Sequence, residues 1–182
     1  MSAMRGWPVL ILTGAPGVGK TTVARLLADR ADRAVHLESD RFFQFIRAGY
    51  IEPWKRESRE QNRLVMRTVA ETAAAFASAG YFTIIDGIVL PRWFFEPMRD
   101  SLRAAGLDVA YAVLRAPLEL CMARAQERED QPPGSRPVIE QLWTEFADLD
   151  SLEPHAIDVA AKTPDQVAEL VLKTLRSGAL DA

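Results

Sequence analysis

The sequence predicts an α/β fold in which a parallel sheet is covered by helices on both faces. Short runs of branched apolar residues alternate along the chain with segments of helical periodicity. The first run passes directly into a glycine-rich turn and a helix, Gly14–Ala15–Pro16–Gly17–Val18–Gly19–Lys20–Thr21. The chain has 182 residues, 48% hydrophobic and 26% charged, the size and mixture of one domain with its own core.

Val9–Thr13 is the first strand, ended by Gly14 and Pro16. From Lys20 the pattern turns helical, with Val23, Leu26, Leu27 and Ala31 on one face. Val35–Leu37 is a second strand ending at Glu38–Ser39–Asp40, and a helix is predicted from Arg41 to about Ala48. A long helix follows from about Ser58 to Ala79, stopped by Gly80. Phe82–Asp86 is the third strand, Pro91 to about Ala105 a helix, and Val109–Leu114 the fourth strand. Helices are predicted from Leu118 to about Glu129 and from Val138 to about Leu149, separated by Gln131–Pro132–Pro133–Gly134–Ser135. Ala156–Val159 is a last short strand, and Pro164–Ser177 a closing helix with Thr163 as its N-cap. Residues 1–182 therefore read as a single domain. Right-handed crossovers leave the strand C-terminal ends along one edge, where open α/β sheets bind ligands.

Composition excludes several classes. The net charge of −3, with both signs interspersed, gives no nucleic-acid footprint. Arg56, Arg59, Arg63 and Arg67 recur at helical spacing, but Glu57, Glu60 and Glu71 sit among them, as on a solvated helix face. No apolar run reaches the ~18 residues of a membrane span, and the run after Met1–Gly6 is too short for a signal-peptide core. Cys121, the only cysteine, falls in an apolar stretch and reads as a core residue. A cytoplasmic location is expected, as a monomer or homodimer.

Gly14–Thr21 matches G-x-x-x-x-G-K-[ST] at every fixed position, the P-loop pattern. The glycines let successive backbone N–H groups of Gly14, Ala15, Pro16 (which lacks one), Gly17, Val18 and Gly19 wrap an anion. The helix beginning at Lys20 adds its positive end. Lys20 is expected at the β- and γ-phosphates of ATP, the Thr21 hydroxyl on Mg²⁺, and Thr22 nearer the α-phosphate.

Other features narrow the reaction. The guanine-reading Asn-Lys-x-Asp segment of GTPases is absent, and Asp86 is followed by Gly87 where a hydrolysing ATPase carries glutamate. A transferase needs a carboxylate near the γ-phosphate and cations that neutralise the group in flight. Asp40 is the candidate base and acceptor anchor, with Glu38 two residues earlier holding Mg²⁺ through water. The alternative is that Ser39 or Asp40 only caps the following helix. Asp86 is a second candidate for Mg²⁺ or acceptor contact, or else a solvated strand end. Arg124 and Arg128 are four apart on one helix, and Arg136 stands in the Pro/Gly-rich break. Together they suggest a lid at about residues 129–137, the alternative being a solvated helix end paired with Glu127 and Glu129.

With these residues in place, the chain resembles the small P-loop phosphotransferases that include shikimate kinase, gluconate kinase, chloramphenicol phosphotransferase and tunicamycin-resistance-type proteins. The carriers are Gly14–Thr22, His36–Asp40, Ile84–Gly87, Leu114–Pro117 leading to Arg124 and Arg128, and Ser135–Arg136–Pro137. The resemblance implies a three-layer P-loop NTPase fold with five parallel strands in the order 2-3-1-4-5. It also implies ATP and Mg²⁺ as cofactors, Asp40 as the acceptor-binding or catalytic aspartate, Arg124 flanking adenine, and Arg136 as the lid arginine. Glu38 stands where many relatives have aspartate, and the glycine triplet of shikimate kinases after the third strand is absent, which points away from shikimate.

Aromatic residues concentrate where such proteins shape their acceptor site: Phe42, Phe43, Phe45, Tyr50 and Trp54 after the second strand, Trp93, Phe94 and Phe95 after the third. They suit a ring-bearing acceptor or core packing. His36 and His155 lack metal-ligand spacing and are expected to pack or face solvent. The expected function is ATP-dependent transfer of phosphate to a hydroxyl of a small molecule, an antibiotic or other ring-bearing metabolite. The alternatives are a nucleoside or nucleotide kinase, and a nucleotide-binding regulator or resistance protein that sequesters its ligand.

Overall fold

Strands β1 (Val9–Gly14), β2 (Ala34–Glu38), β3 (Phe82–Asp86), β4 (Val109–Arg115) and β5 (Ala156–Asp158) form one parallel sheet in the order β2-β3-β1-β4-β5. The computed structural model describes residues 6–126 and 135–182. β1 and β3 are buried along their whole length and β4 almost so, as their unbroken apolar runs require of strands covered on both faces. Leu10, Ile11, Leu12, Ile84, Ile85 and Leu114 are the centre of the core. Truncating any one of them to alanine would cost about 2–5 kcal/mol.

Helices α1 (Lys20–Ala28) and α7 (Pro164–Arg176) pack together on one face, and α3 (Arg59–Ser78) and α4 (Glu96–Ala104) on the other, as right-handed crossovers dictate. α7 begins with a complete capping box, Thr163 and Gln166 bonding reciprocally to each other's backbone. α5 (Leu118–Gln126) and α6 (Arg136–Thr144) lie between β4 and β5 in the chain.

Four expectations need correction. The helix after β2, α2 (Ser39–Gln44), starts at Ser39 and not at Arg41. α4 is preceded by a wide π-type turn, Pro91–Phe95, because Pro91 has no N–H and the Leu90 carbonyl instead accepts from Trp93, Phe94 and Phe95. α6 opens at Arg136, with Ser135 extended before it and Pro137 in its first turn, and ends at Thr144. A 3₁₀ segment, Asp150–His155, then leads into β5. Nothing in the pattern of Leu180–Ala182 predicts a strand, yet Asp181 bridges Ala110 in antiparallel fashion. They fill the stretch of the β4 edge that β5, pairing only with Val113–Arg115, leaves open.

The segment after β3 is tied down at Val89. Its N–H donates to Thr13 Oγ1 at 2.9 Å and its carbonyl accepts from the Tyr111 hydroxyl at 2.8 Å. Burial raises the Tyr111 hydroxyl pKa, so it stays a neutral donor.

Candidate active site

The loop from Gly14 to Gly19 turns over the C-terminal end of β1 and enters α1. Gly19 is the N-cap, in the left-handed region at φ 106°, and no side chain caps the helix. The first-turn amides and the positive helix end are thus available to an anion. Gly17, at φ 77°, has α5 directly behind it: a Cβ there would collide with the Cys121 carbonyl and stand 3.1 Å from the Ala125 nitrogen. Gly17→Ala is therefore expected to displace the loop, lowering stability by about 1–3 kcal/mol and weakening ATP binding, as thermal denaturation and calorimetry would show.

Lys20 reaches back across the loop, its Nζ 3.0 Å from the carbonyl oxygens of both Gly14 and Ala15. Thr21 is half-buried and Thr22 exposed in the same first turn. Cys121 is buried, as expected of a core residue. Burial pushes its thiol pKa up, opposed by the charges of Lys20 and Arg124. Arg124 is half-buried. Arg128 lies outside the described residues, as do 129–134 of the expected lid.

The three carboxylates separate. Registered pairs in a parallel sheet share a face, so Glu38 beside Asp86 and His36 beside Ile84 all point to the α1 side. Glu38 ends β2 between two guanidinium groups, Arg41 at 3.2 Å and Arg25 of α1 at 3.7 Å. Asp40 is not its neighbour in an extended segment, because the chain has already entered α2; the two-residue alternation expected to align them does not apply. Nor do Ser39 or Asp40 cap that helix: Glu38 is the N-cap and no side chain bonds there. Ser39 is buried against Gly87, where even a Cβ would strike its hydroxyl. Asp40 is exposed in the first turn of α2.

Asp86 is not a solvated strand end. It is 4% exposed, and its Oδ2 lies 3.0 Å from His36 Nε2. His36, expected only to pack or face solvent, is thus engaged with a candidate site residue. His155 is buried, with Nδ1 3.0 Å from the Tyr111 carbonyl.

Arg136 opens α6 where a loop position was expected. Its Nε donates to Glu140 at 2.7 Å, and Glu119 of α5 lies 3.5 Å from its guanidinium. The hydrogen bond to Glu140, then that carboxylate's charge and Glu119's, raise its pKa.

On the side of α2, Phe45, Tyr50 and Trp54 are exposed, as is Trp93 after β3, under the guanidinium of Arg59 at 4.7 Å. Phe42, Phe43 and Phe94 pack partly and Phe95 wholly into the core. The Tyr50 segment is held in place from α3: the Gln61 side chain bonds both the N–H and the carbonyl of Ile51, at 2.9 and 2.7 Å, and Asn62 donates to the Pro53 carbonyl at 2.7 Å. Partial burial, then the charges of Glu52 and Asp40, raise the Tyr50 pKa.

A family model described as an AAA domain matches residues 9–152, from the first residue of β1 to the 3₁₀ segment before β5. The chain belongs to the AAA domain family.

The AAA domain also has close structural neighbours. A sugar kinase from Janibacter sp. HTCC2649 is 27% identical, covers 93% of this chain and 95% of its own, and superposes with a TM-score of 0.69. A gluconokinase from Sinorhizobium meliloti 1021 is 17% identical over 96% and 95%, with a TM-score of 0.70. The tunicamycin resistance protein of Deinococcus radiodurans is 21% identical over 97% and 98%, with a TM-score of 0.68. The resemblance to small P-loop kinases and the strand order 2-3-1-4-5 both stand. No curated protein matches the sequence.

Among the described residues of the AAA domain, no three His, Cys, Asp or Glu side chains gather to hold a metal by themselves. Thr21 in the first turn of α1 and Asp86 at the end of β3 offer oxygen donors of the kind Mg²⁺ takes beside phosphates and water. No described helix is long and apolar enough to cross a membrane.

Proposed function

We propose that this AAA domain is a small-molecule kinase that transfers the γ-phosphate of ATP to a hydroxyl group. The observation that carries it is the glycine loop feeding an uncapped α1, with Asp40 opening α2 on the same edge of the sheet. The acceptor oxygen forms a bond to the γ-phosphorus as the bond to the β–γ bridging oxygen breaks. The hydroxyl proton passes to the Asp40 carboxylate, and the products are a phosphate monoester and ADP. Loop amides and Lys20 bind the phosphates, Thr22 lies towards the α-phosphate, and Arg124 borders the adenine side. Thr21 and Asp86 would hold Mg²⁺, which when bound neutralises charge on the β- and γ-phosphates. Glu38, with a guanidinium on each side, is less suited to a second cation. Arg136 reaches the transferring group only by leaving Glu119 and Glu140, which exposed ion pairs of this kind permit at little cost.

The exposed rings of Phe45, Tyr50 and Trp54 favour an acceptor bearing a flat or apolar ring over a bare sugar acid. The test is a transfer assay with labelled ATP and Mg²⁺ against antibiotics, nucleosides, sugars and sugar acids. Transfer to a ring-bearing hydroxyl compound is the expected result. ATP binding with no transfer to any of them would instead indicate a protein that sequesters its ligand.

A further inference from the structure

We propose that His36 is a positioning residue for the metal-bearing nucleotide, acting through Asp86. The inference rests on the kinase reading above. His36 and Asp86 are on adjacent strands at the sheet's binding edge, 12% and 4% exposed, joined at 3.0 Å between Nε2 and Oδ2. An ionised carboxylate only accepts, so the shared proton sits on Nε2. The imidazole holds Oδ2 at 3.0 Å and leaves Oδ1 as the ligand atom, direct or through water. Glu38, the residue registered beside Asp86, has the opposite arrangement, with Arg41 and Arg25 competing with any added cation for its charge.

An imidazole N–H orients a carboxylate without cancelling its charge, which is the usual task of the outer shell around a metal. Both side chains face α1, whose first turn carries Thr21, so the pair lies on the side of the sheet where a phosphate-bound cation would be held. A purely structural pair would only tie β2 to β3. The two roles differ in what they do to metal-dependent binding.

The experiment is calorimetric titration of the full chain with ATP alone and with Mn²⁺·ATP. His36→Leu is expected to weaken Mn²⁺·ATP about 10-fold or more while leaving metal-free ATP unchanged. His36→Gln, which keeps an N–H near the place of Nε2, is expected to restore most of that loss. In an Asp86→Asn background His36→Leu should add nothing further. Should the leucine variant not fold, His36→Met, also without a donor, is compared with glutamine in its place. The proposal is overturned if the donor-less variant binds Mn²⁺·ATP like wild type, if it loses metal-free ATP equally, or if glutamine fails alongside it. Wild-type protein that binds neither form of ATP sinks the kinase reading itself, whereas wild-type binding with indifferent variants sinks only the role of His36.

Discussion

Asp40→Asn is expected to lower the turnover of phosphate transfer by about 10²–10⁴-fold while leaving ATP affinity nearly unchanged. The substitution keeps the shape of the side chain and removes its ability to take a proton. Asp40 lies exposed in the first turn of α2, on a different element from the phosphate-binding loop and α1. An interaction used only in the transition state lowers kcat and kcat/KM together. The check is steady-state kinetics on the accepted substrate beside calorimetry with ATP. A variant that turned over normally would remove Asp40 as the base. One that lost ATP binding would place it in the nucleotide site.

Lys20→Ala is expected to reduce transfer by about 10²–10³-fold. Its ammonium already stands at the loop mouth, 3.0 Å from the carbonyls of Gly14 and Ala15. Binding phosphate exchanges those neutral acceptors for charged ones, which form the stronger hydrogen bonds. Removing the ammonium leaves the amide cradle but no mobile positive charge to follow the phosphate as it transfers. Lys20→Arg should not restore activity, because a planar fork does not replace a compact point charge in a loop this tight. Single-turnover transfer, with a thermal melt to show that the variant is folded, measures both. Wild-type rates in Lys20→Ala would refute the role.

The local rules worked where the chain's own chemistry sets the structure. Thr163, Pro164 and Gln166 announce the start of α7 because a capping box closes within four residues. The strand cores were found to within about a residue because β1, β3 and β4 are apolar on both faces and bounded by glycine or polar residues. The same rules missed the start of α2. Ser39 is drawn into the helix by burial against Gly87, a residue on another strand's end that no window around Ser39 contains. They missed Arg136 as a helical residue because Pro137 reads as part of a break, although a proline in the first turn is equally a helix start.

By itself the sequence determined that the protein is an α/β domain with a phosphate-binding loop at Gly14–Thr21. A glycine pattern, a lysine and a threonine at fixed spacing make that site within one turn of the chain. Only the tertiary structure decided what surrounds each of the three carboxylates. Glu38, Asp40 and Asp86 are alike in composition, but strand register sets Asp86 against His36, α1 brings Arg25 to Glu38, and the early turn of α2 leaves Asp40 exposed at its N-terminus. Each of those partners depends on contacts between segments far apart in the chain, which spacing along one strand does not encode.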